Sequence, residues 1–143
     1  MFDLEEYVPY LLHQAHLAVL RAFEAGLTPS GLSLPEWRVL AVLAHHKRIR
    51  FGQLAKITGQ EPPTLVRLLS AMEERQLLLR KASETDRRAT DVELTDQGKT
   101  LAESILPLAQ ATVDKAFTGF TDDEAEFLRR LLRRIQKNME APN

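Results

Sequence analysis

Two hydrophobic periods alternate along the chain, and they change places inside one organising stretch, Glu61 to Gly98. Pro62 and Pro63, tolerated in the first turn of a helix but not in its interior, lead into Leu65, Leu68, Leu69 and Met72 at helical spacing. That predicts a short amphipathic helix. An apolar and basic run, Leu77-Leu78-Leu79-Arg80-Lys81, is followed by a polar turn, Ser83-Glu84-Thr85-Asp86-Arg87-Arg88. Beyond the turn, Val92 and Leu94 alternate with Asp91 and Glu93, as in a half-buried strand. Helix, strand, basic turn and strand together describe a winged helix.

Upstream, Asp3 and Glu6 have the spacing of a capping box, and Leu4, Tyr7, Leu11, Leu12, Ala15, Leu17, Ala18, Leu20 and Phe23 form a broad apolar stripe. A first helix is expected over about 4–25, with Pro9 marking a kink or a later start, and Gly26 with Thr28-Pro29-Ser30-Gly31 closing it. Ser33 and Glu36 repeat the capping-box spacing before Trp37, Val39, Leu40, Val42 and Leu43, which predicts a second helix over about 34–45 ending in His45 and His46. A short helix from Phe51 to Thr58 then stops at Gly59, and Gly59-Gln60-Glu61 makes the turn of a helix-turn-helix whose second member begins at Pro62.

Downstream, Thr95-Asp96-Gln97 caps a helix that reaches toward Phe117, with Pro107 expected to bend or split it. Thr121 and Glu124 form another capping box before Phe127, Leu128, Leu131, Leu132 and Ile135, and the tail from Asn138 to Asn143 is expected to fray. Three long helices exceed what a winged helix needs, so their apolar stripes call for a burial partner. A second copy supplies it. The expected fold is mainly α: a winged helix-turn-helix over 31–96 with a two-stranded wing, an N-terminal dimerisation arm over 1–30 and C-terminal dimerisation helices over 97–143. A two-fold homodimer of this kind sets two recognition helices about one DNA turn apart, roughly 34 Å.

Charge sharpens this picture more than composition does. The net charge is -1, yet residues 31–88 hold eleven Lys and Arg against six Asp and Glu, while the flanking segments are each acidic by three. A basic centre between acidic ends suits a module that binds a polyanion, although a solvated Lys/Arg face gives the same count. The absence of cysteine excludes a disulfide framework and thiolate metal sites. The first residues lack a basic segment followed by a long apolar core, and no apolar run approaches the ~18 residues of a membrane span, so a cytoplasmic protein with no membrane partner is expected.

SLPEWRVLAVL, FGQLAKITG, TLVRLLSAMEE, the Asp86-Arg87-Arg88 wing and VELTDQGKTL, taken in order, strongly resemble the multiple antibiotic resistance regulator (MarR) family of dimeric winged-helix repressors. The likeness spans about residues 5–138, and its most specific part is Asp86-Arg87-Arg88 followed by Leu94-Thr95 and Gly98. It implies a transcriptional repressor on a pseudo-palindromic double-stranded operator, released by a small effector such as an aromatic acid. Three positions depart from the family pattern: Arg50 stands where a Ser or Thr cap is usual, Gln76 where a glycine commonly ends the recognition helix, and the Pro62-Pro63 pair stiffens its entry.

Thr64 and Arg67, with Val66 and Ser70 on the same arc, lie away from the apolar face of that helix and are candidates for the major groove. Arg88 at the wing tip suits a narrow minor groove, Arg87 a phosphate, and Asp86 a role in orienting an arginine or bracing the turn. Lys56, Arg75, Arg80 and Lys81 are candidate phosphate contacts. Exposed charge alone accounts for the same residues. Tyr10, His13, Trp37 and Arg38, with His16 nearby, are candidates for an effector pocket; equally, Trp37 is a core residue and the histidines are exposed. The pairs His13/His16 and His45/His46 lack further ligands for a metal, and no motif calls for a cofactor or for catalysis. The competing readings are a winged-helix module that binds an acidic protein without reading DNA sequence, and an enzyme using His13 or His16 as a base.

Overall fold

The computed structural model describes residues 1–140 and Pro142. Its elements follow the order α1 (Val8–Leu27), a 3-10 turn (Thr28–Ser30), α2 (Leu34–His46), β1 (Arg48–Arg50), α3 (Phe51–Thr58), α4 (Pro62–Glu74), β2 (Leu78–Ala82), β3 (Thr90–Leu94), α5 (Asp96–Ala116) and α6 (Asp122–Glu140). α1 starts later than the Asp3/Glu6 spacing suggests. Asp3 Oδ1 accepts from the Glu5 N–H instead of capping a helix, and Pro9 occupies the first turn, where its missing N–H costs nothing. The capping boxes at Ser33/Glu36 and Thr121/Glu124 do form.

The expected two-stranded wing is β2 paired with β3, and β1 joins it as a third strand, giving an antiparallel sheet in the order β1-β3-β2. Three residues running straight into a helix are too short to show a strand period, so β1 is invisible as a pattern. Pairing Ile49 with Val92 buries both, while Arg48 and Arg50 stay on the opposite, exposed face. The wing is therefore bonded back onto the segment that opens the helix-turn-helix.

α5 runs unbroken through Pro107, so that proline does not split it. Helix also continues past Asn138 to Glu140, and Ala141 and Asn143 of the expected frayed tail lie outside the described residues. One hydrophobic cluster joins Phe23 and Leu27 of α1, Val39, Leu40 and Leu43 of α2, Leu65, Leu69 and Met72 of α4, Val92 and Leu94 of β3, and Ala102 and Ile105 of α5. At Gly26 a side chain would collide with Leu108, which shows how closely α1 lies on α5. α6 is different. Only Ala125 is buried on it among the described residues, and Phe127, Leu128 and Ile135 stand exposed, as do Leu4, Tyr7, Val8, Leu11 and Leu12 at the other end of the chain.

Candidate nucleic-acid interface

Gly59 ends α3 in the left-handed region, with φ of 70°, and places α4 across from it. No side chain caps α4. The need is small, because Pro62 and Pro63 bring no N–H and the Leu65 N–H already reaches the Glu61 carbonyl at 2.9 Å. Leu65, Leu69 and Met72 hold the inner face in the core. Thr64, Val66 and Arg67 are exposed on the outer arc, whereas Ser70 is half-buried and donates its hydroxyl to the Val66 carbonyl at 2.9 Å. Ser70 is thus a weaker candidate than its place on the arc suggests.

Gln76 solves the turn from α4 to β2 without glycine. It takes φ of 61° itself, its N–H donates to the Glu73 carbonyl at 2.9 Å, and its carbonyl accepts the Thr95 hydroxyl at 2.6 Å. The same Thr95 oxygen accepts from the Gly98 N–H at 3.0 Å and so caps α5. At Gly98 any side chain would drive into the Leu77 carbonyl, so this glycine is needed where α5 crosses the start of the wing.

Cations around this surface divide into paired and free. Arg80 makes a fork on Glu73 at 3.0 and 2.6 Å, and its own backbone N–H adds a third bond at 3.2 Å. These bonds from Arg80 hold the Glu73 carboxyl below its ordinary range. Lys81 and Arg48 both grip Glu93, at 2.6 and 2.9 Å, and depress its carboxyl in turn, Lys81 foremost. Arg75 reaches Glu36 at 3.2 Å. Among the described residues, Lys56, Arg67, Arg87 and Arg88 form no salt bridge and are exposed.

Asp86 at the wing tip accepts from the Arg88 backbone N–H at 3.0 Å, and its carbonyl accepts from the Ala89 N–H at 3.0 Å. Beneath the tip, Ser83 is buried to 4% exposure, and its hydroxyl lies 3.1 Å from that of Thr85.

A family model for the MarR family matches residues 30–89, from the end of the 3-10 turn to the wing tip. The whole chain superposes on a MarR-family transcriptional regulator from Silicibacter pomeroyi with a TM-score of 0.88 at 26% identity, covering 99% of this chain and 95% of that one. This chain thus carries a MarR-family segment over residues 30–89 and shares its whole fold with MarR-family regulators. Outside the matched segment, likeness to the MarR family is carried by structure. A second S. pomeroyi regulator is 28% identical over 98% of this chain and 100% of its own, with a TM-score of 0.84. BpsR of Bordetella bronchiseptica, described as regulated in its DNA binding by 6-hydroxynicotinic acid, is 25% identical over 99% of each chain, also with a TM-score of 0.84.

A cavity of about 680 Å³ opens between α2, α5 and β3. Trp37, Leu43, Leu94, Ala102 and Leu106 give it apolar walls, and Lys47, Arg48, Lys99, Glu93 and Glu103 line it with charge. Of the four expected effector residues it takes in Trp37 alone; Tyr10, His13 and Arg38 lie elsewhere on α1 and α2. Trp37 also packs on Phe23, ring centres 5.7 Å apart, and His13 and His16 are exposed. Lys47 carries φ of 63° and ψ of -56°, a rare and strained conformation for a residue with a side chain. Nothing in the residue type announces that geometry. Likewise the pairs Glu73/Arg80 and Glu36/Arg75 follow no periodic spacing and become visible only when the elements pack. Among the described residues no group of three or more potential ligands could hold a metal, and no helix is long and apolar enough to cross a membrane.

Proposed function

We propose that the chain is a homodimeric repressor that binds a pseudo-palindromic duplex and releases it when an aromatic acid occupies the cavity beside Trp37. The observation that carries the DNA reading is the sorting of cations. Arg75, Arg80 and Lys81 are neutralised by acids of their own chain, while Arg67 on the recognition helix and Arg87 and Arg88 on the wing are free for an external anion. A solvated face distributed at random has no reason to leave free charge at the two places a winged helix touches DNA.

In this reading Thr64, Arg67 and Val66 meet base edges in the major groove, with Ser70 contributing less. Arg88 enters the minor groove, Arg87 takes phosphate beside it, and Asp86 braces the tip through the Arg88 N–H. Lys56 is the favoured phosphate contact of α3. The exposed apolar faces of α1 and α6 meet their copies in the dimer, with 1–30 and 97–143 as its arms.

The effector reading draws on BpsR, whose DNA binding is described as regulated by 6-hydroxynicotinic acid. A cavity of this size suits a small ring, Trp37 offers a stacking face, and Lys47 and Lys99 suit a carboxylate better than Arg38 does. Ligand that binds one separation of the lobes more tightly shifts the dimer toward it and weakens the operator complex reciprocally. Selection from random duplexes tests the whole reading. A palindrome should be enriched, and the enrichment should fall when 6-hydroxynicotinate or a related acid is added; enrichment of no common sequence would overturn it.

A further inference from the structure

Arg50 stands at the exposed end of β1, immediately before α3, and contributes no side-chain cap to that helix. Its guanidinium turns instead toward the wing. Nη2 donates to Thr85 Oγ1 at 3.0 Å and lies 3.4 Å from Ser83 Oγ. Those two hydroxyls are 3.1 Å apart, and the Thr85 N–H donates to Ser83 Oγ at 3.3 Å. The Ser83 N–H closes the loop on the Ala89 carbonyl at 2.9 Å, one residue beyond Arg88.

A chain of hydrogen bonds thus runs from the first residue of the helix-turn-helix to the base of the wing tip. Arg48, two residues earlier on the same face of β1, adds a looser hold on Glu84 at 3.7 Å. We propose that Arg50 is a positioning residue that fixes the angle of the wing relative to the recognition helix, and so the distance between the bases each of them reads. The inference rests on the DNA-binding reading above.

A hairpin tip of seven residues has no packing of its own to set its direction, and Ser83 is the one buried residue in it. The backbone pairing of β2 with β3 fixes the register of the wing but leaves its tip free to swing about the strands. One guanidinium nitrogen, Nη2, donating to two hydroxyls removes that freedom at its base, since its N–H groups are held in the guanidinium plane and point in a narrow range of directions. The cap that α3 forgoes is the cost of this arrangement, and an exposed helix of eight residues tolerates it because Ile49 and Leu54 anchor either side.

The test uses the full-length protein, the duplex enriched by selection, and three variants. Arg50→Ser returns a capping hydroxyl to α3 and removes the mount; Thr85→Val removes an acceptor without changing charge; Arg50→Lys keeps charge but loses the planar, directed donor. Hydroxyl-radical footprinting should lose minor-groove protection at the flanks in Arg50→Ser while major-groove methylation interference persists. Affinity should fall about tenfold, as for one charge-assisted hydrogen bond, with a smaller fall in Thr85→Val and no full recovery in Arg50→Lys. Arg88→Ala should cost less in the Arg50→Ser background than alone. If Thr85→Val leaves affinity and flank protection intact while Arg50→Ser weakens all sequences alike and reduces the salt slope, Arg50 touches phosphate directly and the proposal is overturned. Without DNA, hydrogen exchange at the Ser83 and Ala89 amides should quicken in Arg50→Ser; unchanged exchange overturns the mount even if the wild type binds no duplex, a failure that would belong to the DNA reading.

Discussion

The Thr95 hydroxyl stands 2.6 Å from the Gln76 carbonyl and 3.0 Å from the Gly98 amide nitrogen, so one oxygen both pins the left-handed turn after the recognition helix and caps α5. Thr95→Ala breaks both bonds and strands the Gln76 carbonyl and the Gly98 N–H. Loss of the cap alone costs about 1 kcal/mol, and the freed turn adds a similar amount. Urea unfolding should show a loss of about 2 kcal/mol for Thr95→Ala and a much smaller one for Thr95→Ser. Equal losses in both would mean the methyl group, not the oxygen, matters.

Gly98 is fixed by contact rather than by backbone dihedral. Its φ is not positive, yet a methyl group there meets the Leu77 carbonyl, which is backbone and cannot step aside. Gly98→Ala should therefore lose several kcal/mol, on the order of 3, through overpacking, despite alanine's better helix propensity. Calorimetry showing an unchanged or higher Tm would contradict this geometry. Gly119, with nothing near it but φ of 83°, serves as the contrasting site.

Glu93 links all three strands, facing Arg48 of β1 and Lys81 of β2. Its carboxyl is held below the ordinary value of 4.5, first by the Lys81 hydrogen bond and then by that of Arg48. A depressed carboxyl stabilises the fold above its unfolded pKa, and that contribution is lost as pH falls through the lower folded value. Glu93→Gln should thus leave a shallower decline of stability below about pH 4.5, with the wild type steeper over the same window. Matching acid limbs in the two proteins would show the network to be thermodynamically silent.

Arg67→Ala and Arg88→Ala should each weaken binding to the selected operator by about 1 to 3 kcal/mol, roughly fivefold to 150-fold, with circular dichroism and sedimentation mass unchanged. Arg80→Ala should behave otherwise: it leaves Glu73 without its partner and should appear chiefly as lost stability, because the Arg80 charge is already spent. Fluorescence anisotropy over a range of salt separates these cases. If Arg80→Ala outweighs Arg67→Ala in affinity at equal stability, the division into free and paired cations does not describe the interface.

Leu11→Asp or Phe127→Asp should dissociate the dimer, since both side chains are exposed in the single chain, Phe127 at 51%. Analytical ultracentrifugation at micromolar concentration should give a monomer for the variants and a dimer for the parent. A parent sedimenting as a monomer would remove the reason for these apolar faces.

What the sequence made legible follows from how local each feature is. Capping boxes at Ser33 and Thr121, the Gly59 stop and the alternation of Val92 and Leu94 act over a few residues, and all of them appear in the structure. The Asp3 capping box fails because Pro9 offers a better start a few residues later. β1 was hidden because three residues show no period, and with it the mount that Arg50 makes. The paired state of Arg75, Arg80 and Lys81 depends on acids 39, 7 and 12 residues away, brought close only by packing. Of the expected effector residues only Trp37 borders the cavity, which opens on the face of α2 turned toward α5 and the sheet.

Pro107 leaves α5 with one backbone bond missing, the one that would have joined its nitrogen to the Glu103 carbonyl. The gap falls between the half of α5 that packs with Ala102 and Ile105 in the core and the half where Leu108 meets Gly26 of α1. Glu103 also borders the cavity. A rod weakened at one point flexes there first, so any bending of α5 is expected to centre beside the cavity at Trp37.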